Sequence, residues 1–289
     1  VHSLEDDMPE RGLPTPSAAI AGAARVLARA GVASPRVDAE LLAAHVLGIP
    51  RARLLTAPRF ATEQAAEFDR LVLLRATRVP LQHLTGEAPF FGFELLVGPG
   101  VFIPRFETEL LVEWALRHPG RTVVDLCSGS GAIAIAVARA RPDADVYAVE
   151  ASAKALDWLR RNATRLAPSV RVVRGDATDP TVLSDVDGAA DLVLCNPPYV
   201  PEDAPVDVEV RDHDPHEAVF GGRDGMDLMA GIARRAAALL RPGGVLAIEH
   251  DDTQGETLPA LLREAGFTEV ADHRDLAGRP RFTTARLPA

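Results

Sequence analysis

Asn196, Pro197, Pro198 and Tyr199 follow directly on a mostly apolar run, Asp191–Cys195. Each proline lacks a backbone N–H and has a fixed φ, so neither strand nor helix continues through them. One reading is a rigid stop with a capping Asn. The other is chemical. The Asn196 side-chain carbonyl accepts a hydrogen bond. Pro197 donates nothing from its nitrogen, but its carbonyl also accepts. Two acceptors on stiffened backbone can grip both hydrogens of one –NH2 group, and Tyr199 offers a flat ring beside it. Such a clamp suits an amide or amino nitrogen, whose lone pair is delocalised and weakly nucleophilic. Orienting that nitrogen toward an electrophile can remove roughly 7–11 kcal/mol of barrier without a strong base.

A second group of residues supplies a place for the electrophile. "TVVDLCSGSGAIAIAVARA" reads as a buried strand, a glycine turn and an alanine-rich helix. Ligands of open α/β sheets sit at the carboxyl ends of such strands. Gly129 and Gly131 are expected to let backbone approach a ligand; a plain strand-to-helix turn is the alternative. Glu150 closes the next strand, where a carboxylate can accept from ribose hydroxyls. Asp176, in "RGDATD", is placed to meet an adenine amino group. Asp125, before the loop, is expected to accept from an amino group. The spacing G-x-G-A-I-A fits a dinucleotide less well than an adenosine carrying an amino acid, S-adenosylmethionine.

These residues need a framework, and the remaining sequence describes one. The chain has 289 residues, 47% of them hydrophobic, enough to build a core. From Arg105 onward strand and helix patterns alternate. Strands are expected at Thr122–Cys127, Asp145–Glu150, Val170–Arg174, Asp191–Cys195 and Val245–Glu249, with helices at Gly131–Ala140, Ser152–Leu166, Gly225–Leu240 and Thr253–Ala265. That alternation predicts an α/β fold with a doubly wound sheet. Two tail strands joined at Gly278-Arg279-Pro280 are expected as its antiparallel edge. Residues from about 17 to 79 read as helices. Ser34 and Pro35 start one and Gly48 stops it; Thr62 is expected to cap another. Residues 1–85 are therefore expected as a small all-α domain, with 1–16 disordered, residues 86–104 as a β-hairpin linker, and 105–289 as the catalytic domain.

Composition narrows the function classes. Thirty-one basic against 41 acidic residues give a net charge of −10, and the first 88 residues carry ten of each sign, so the excess lies in the remainder. An acidic balance is a poor basis for binding phosphate backbones. No apolar run approaches a membrane span and "VHSLEDDMPE" is no signal peptide, so a cytoplasmic location is expected. Cys127 and Cys195 give no disulfide framework and end neighbouring strands; two thiols without a role is the preferred reading over a redox pair. "RDHDPHEAV" is read as a loop over the site and not as a metal cluster.

"VFIPRFETELLVEWA", "DLCSGSGAIAIA", "AVEASAKAL", "LVLCNPPYV", "DPHEAVFGGRDGMDL" and "RDLAGRPRF" together resemble the release-factor glutamine methyltransferase family. The likeness runs from about residue 20 to the C-terminus. It implies a class I S-adenosylmethionine-dependent methyltransferase with a seven-stranded sheet. The implied substrate is the glutamine of the Gly-Gly-Gln motif in peptide-chain release factors, the implied product S-adenosyl-L-homocysteine, and no metal takes part. By position, the resemblance puts Asp125, Leu126, Cys127, Ser128 and Gly129 along the cofactor, Glu150 on the ribose, and Asp176 and Ala177 beside the adenine. Asn196 faces both cofactor and glutamine. Pro197, Pro198 and Tyr199 shape the substrate slot, and Arg105 and Glu107 stand at its entrance. Cys127 and Phe106 depart from the family's usual Gly and Pro, and Ala177 from the aromatic of some members. A monomer is expected, with no direct nucleic-acid binding. The main rival is an adenine-amino methyltransferase acting on DNA or RNA, which shares Asn-Pro-Pro-Tyr; a non-catalytic adaptor and an NAD-dependent oxidoreductase are weaker alternatives.

Overall fold

The computed structural model describes residues 14–289, so the expectation for the N-terminal tail falls, through residue 13, outside the described residues. The chain divides into two compact units, the first ending at Thr85 and the second running from Gly86 to Ala289.

The first unit is helical: α1 (Pro16–Arg29), α2 (Pro35–Leu47), a 3₁₀ turn (Arg51–Thr56), α3 (Thr62–Ala76) and α4 (Leu81–Thr85). Gly48 ends α2 at φ 63°, the left-handed conformation that stops a helix at low cost. Ser34 occupies the N-cap position without a side-chain bond. At α3 the cap is Ala61 and not Thr62; the Gln64 side chain accepts the Ala61 N–H at 2.9 Å and so secures the helix start from inside. Leu27, Leu42, Phe60 and Phe68 fill the core, the two rings stacked at 5.3 Å. Beside them Arg75 donates to Asp38 at 2.7 Å, a buried ion pair.

The second unit opens with a hairpin, β1 (Glu87–Phe90) and β2 (Phe93–Leu96). It is no free linker. Phe90, Leu95, Val97 and Ile103 belong to a core cluster of the second unit. Fully buried Asn162 donates to Leu96 O (2.9 Å) and accepts from Leu96 N (2.8 Å), stitching the hairpin down.

Then follow α5 (Glu107–Leu116), β3 (Thr122–Leu126), α6 (Ala132–Ala140), β4 (Asp145–Glu150), α7 (Ala153–Leu166), β5 (Arg171–Arg174), β6 (Ala190–Cys195), α8 (Val208–His213), α9 (His216–Val219), α10 (Met229–Leu239), β7 (Leu240–Glu249), α11 (Thr257–Glu264), β8 (Thr268–Arg274) and β9 (Pro280–Arg286). They form one seven-stranded sheet in the order β5-β4-β3-β6-β7-β9-β8. The first five are parallel and β9 runs antiparallel to both neighbours. The sheet is thus doubly wound with an antiparallel edge, as expected. Helices cover both faces over two separate apolar clusters.

α10 begins at Met229, later than the sequence suggested; Gly225 itself is not helical, at φ 76° and packed so that a Cβ would meet Tyr199 O. α5 was not anticipated; it brings Thr108 to the carboxyl ends of the strands. Among the described residues no helix is long and apolar enough to cross a membrane.

Candidate active site

Strand order reverses between β3 and β6, and ligands of such sheets bind at this switch point. A cavity of about 790 Å³ opens there, within the range of cofactor sites.

One wall is the glycine loop. Cys127 turns the chain at φ 61° despite its Cβ, and Gly129 follows at φ 55°. Cys127, Ser128 and Gly129 line the cavity. Gly131 does not. At φ 90°, a Cβ there would lie 2.6 Å from Leu159 and 2.9 Å from Ile135, so its missing side chain serves helix packing and not ligand approach. Asp125 and Leu126 also stand behind the wall, both fully buried and outside the lining. The Asp125 Oδ2 accepts Ala134 N–H at 3.1 Å, which anchors the start of α6. Its Oδ1 has no partner, and burial pushes its pKa up to about 7.

Glu150 ends β4 with its carboxylate in the wall. Oε2 accepts Gly129 N–H at 2.8 Å and Oε1 accepts Ser152 N–H at 2.7 Å. Each oxygen retains a second acceptor site. Burial raises its pKa, and the backbone donors oppose that. Asp176, exposed, folds back on Thr178 through Oδ1, with N–H and hydroxyl both at 2.7 Å. Ala177, Ile133, Val149 and Leu228 add apolar lining. A carboxylate with acceptor sites to spare beside such a lining fits a ribose carrying a purine, and the acids Glu150, Asp176 and Glu217 fit a cationic ligand.

The opposite wall carries Asn196 through Tyr199. Asn196 Nδ2 donates to Thr108 Oγ1 at 3.1 Å. Among the described residues, no protein donor takes up Asn196 Oδ1 or the Pro197 carbonyl. The Tyr199 hydroxyl donates to Glu249 Oε1 at 2.9 Å. Burial and the adjacent carboxylate push that phenol up, so it stays neutral. Arg105 and Glu107 line the same cavity. Arg105 donates to Asp214 at 2.7 Å, so one of the acids read as a surface loop is a buried partner. Thr108 and Glu249 were not singled out in the sequence: Thr108 lies inside "VFIPRFETELLVEWA", one of the stretches that carry the resemblance, but roles there fall only to Arg105 and Glu107, and "IEH" gives Glu249 no local signal.

A seven-stranded sheet of this order, with a cavity of this size and lining at its switch point, defines a class I S-adenosylmethionine-dependent methyltransferase. The fold is shared with a methyltransferase from Pyrococcus furiosus (TM-score 0.52, 17% identity, 76% of this chain and 98% of that one). Residues 94–211 match the methyltransferase small domain and residues 18–86 the PrmC N-terminal domain. Curated relatives named release factor glutamine methyltransferase are 52% identical in Mycolicibacterium smegmatis (92% of this chain, 96% of the relative) and 49% in Streptomyces coelicolor (93% and 97%). One from Deinococcus radiodurans is 40% identical over 90% of this chain and 94% of its own. The chain belongs to the release factor glutamine methyltransferase family.

Proposed function

We propose that this chain transfers a methyl group from S-adenosylmethionine to the side-chain amide nitrogen of the glutamine in the Gly-Gly-Gln motif of peptide-chain release factors. The observation that carries this reading is the polarity of Asn196: its –NH2 is committed to Thr108, which leaves its oxygen as an acceptor in the cavity wall. Family membership supports the substrate class.

Glu150 and Asp176 hold the nucleoside, with Ala177 and Ile133 against its base. S-adenosylmethionine supplies an electrophilic methyl group when bound. Asn196 Oδ1 and the Pro197 carbonyl accept the two hydrogens of the substrate –NH2. Tyr199 and Pro198 border the planar group and exclude water from it. Holding the amide so aims its nitrogen; the new N–C bond makes that nitrogen acidic, one of its two protons leaves to solvent without a dedicated base, and the gain is mainly positional. Tyr199 does not act as a base, because its proton is committed to Glu249. Arg105 and Glu107 meet the approaching loop, and the helical unit that ends at Thr85 docks the rest of the protein substrate.

The test is to incubate the chain with cofactor and a purified release factor and to locate one added methylene by peptide mass spectrometry. The mass is expected on the Gly-Gly-Gln glutamine and is lost with Gln→Ala there. Asn196→Ala is expected to reduce turnover by about 10²-fold or more with cofactor affinity little changed. Native turnover in Asn196→Ala, or methyl on another residue, overturns the reading.

A further inference from the structure

The orientation of Asn196 is not a property of Asn196 alone. A carboxamide has two ends of nearly equal size, one donating and one accepting, and only its partners decide which faces a ligand. Here the partner is the Thr108 hydroxyl, in the first turn of α5. That hydroxyl has a single proton. It donates this proton to Glu249 Oε2 at 2.7 Å, leaving only lone pairs toward Asn196. Glu249, at the end of β7 and 1% exposed, also accepts from Tyr199 at 2.9 Å. Each carboxyl oxygen takes one hydroxyl, Oε2 that of Thr108 and Oε1 that of Tyr199, so both hydroxyls point at it. Burial, with Glu107 nearby, raises the Glu249 pKa against the opposing pull of the two hydroxyls and the Arg281 guanidinium. Direction therefore runs one way through the chain of bonds: a carboxylate that only accepts, a hydroxyl that gives to it, an amide that must give to the hydroxyl.

We propose that Thr108 and Glu249 are positioning residues that fix the polarity of Asn196, and that this polarity selects a carboxamide over a carboxylate in the substrate slot. The inference rests on the methyl-transfer reading above and deepens it. With Oδ1 of Asn196 and the Pro197 carbonyl both accepting, a glutamine –NH2 satisfies the slot. A glutamate would bring acceptors against acceptors and leave buried groups unpaired, which is how sites of this kind reject near-isosteres. Reverse the Asn196 amide and its –NH2 faces the slot, which then accommodates glutamate and loses its grip on the nitrogen. Glu249→Gln puts a donor in place of one of the two acceptors at unchanged volume; with its Oε1 kept for the Tyr199 hydroxyl, its –NH2 faces Thr108. A –NH2 placed opposite Thr108 makes the hydroxyl accept from below and give its proton to Asn196.

The experiment uses the full chain, native and as Thr108→Val, Thr108→Ser and Glu249→Gln. Substrates are a release factor and the same factor with its target Gln→Glu. Turnover and KM are measured on the first, and binding of both in the presence of S-adenosylhomocysteine, whose own affinity is taken by calorimetry. Native chain is expected to methylate the glutamine form and to prefer it in binding. Thr108→Val and Glu249→Gln are expected to lose roughly 10²-fold in kcat, with S-adenosylhomocysteine affinity held. Thr108→Ser restores most of the turnover. In Glu249→Gln the preference for Gln over Glu falls by about 10-fold or more. Should Thr108→Val bind the product poorly through misfolding, Glu249→Gln and the serine variant carry the comparison. Unchanged turnover and unchanged Gln-over-Glu preference in Glu249→Gln overturn the inference alone. A native chain that leaves the glutamine unmodified overturns the methyl-transfer reading, and the inference with it.

Discussion

Arg105 and Asp214 meet at 2.7 Å although 109 residues separate them, tying the segment before α5 to the turn after α8. The two partners are buried unequally: the Asp214 side chain is 1% exposed and that of Arg105 35%. The Asp214 Oδ1 has no partner, and burial pushes its pKa up to about 6. Removing Arg105 strands a buried carboxylate; neutralising Asp214 leaves a guanidinium that water can reach. Arg105→Ala is therefore expected to cost more stability than Asp214→Asn, by about 1–2 kcal/mol after allowing for the exposure of Arg105. Urea denaturation at pH 7.5 (about one unit or more above the Asp214 value) ranks the two. The reverse ranking would show that the pair does not hold this turn.

Glu150 carries two backbone N–H groups before any ligand arrives, at Gly129 and Ser152. Glutamine has one acceptor where Glu150 uses two, so Glu150→Gln sets –NH2 against an N–H donor. We expect S-adenosylhomocysteine affinity to fall by about 10-fold or more and the melting temperature to drop as well. Calorimetric titration together with thermal melts measures both. Lost affinity at unchanged stability would mean the carboxylate serves the ligand but not the loop.

Gly131 and Gly129 differ in what surrounds them. Gly131→Ala drives a methyl into Leu159 and Ile135 at a left-handed φ, and is expected to cost about 3 kcal/mol or more. Gly129→Ala meets nothing within 4 Å and is expected to cost only the conformational term, about 1–2 kcal/mol. Equal losses in chemical denaturation would contradict the packing argument.

Asp125 ties stability to pH. Its folded pKa, about 7, lies above the ordinary 3.8, so the native state holds the proton more tightly than the unfolded chain. The native-state advantage is complete below pH ~4 and is lost as pH rises through about 7. Asp125→Asn has no such slope. Between pH 4 and 8 the variant is expected to gain on the native chain by up to roughly 4 kcal/mol, read as the difference of two denaturation series. A constant difference across that range would place Asp125 outside the titration.

Much of this architecture was legible residue by residue. The apolar runs ending in Leu126, Glu150 and Cys195 are local signals of parallel strands, and Asn-Pro-Pro-Tyr stops its strand by covalent geometry alone. The same locality placed Glu150 and Asn196 at strand ends, where the fold class opens its cavity. Which way a side chain turns there is not local. Asp125 lies two residues before Cys127, which lines the cavity, yet spends its oxygen on the start of α6, and Gly131 spends its missing Cβ on Leu159. Thr108 and Glu249 lie 141 residues apart, and the hydrogen bond that joins them exists only because α5 begins where β7 ends. Sequence settled the strands and most of the helices between them, though not α5, since propensity and periodicity act over a few neighbours. Tertiary structure alone decided the direction of each hydrogen bond in the site, because a proton's direction depends on every partner it meets across the fold.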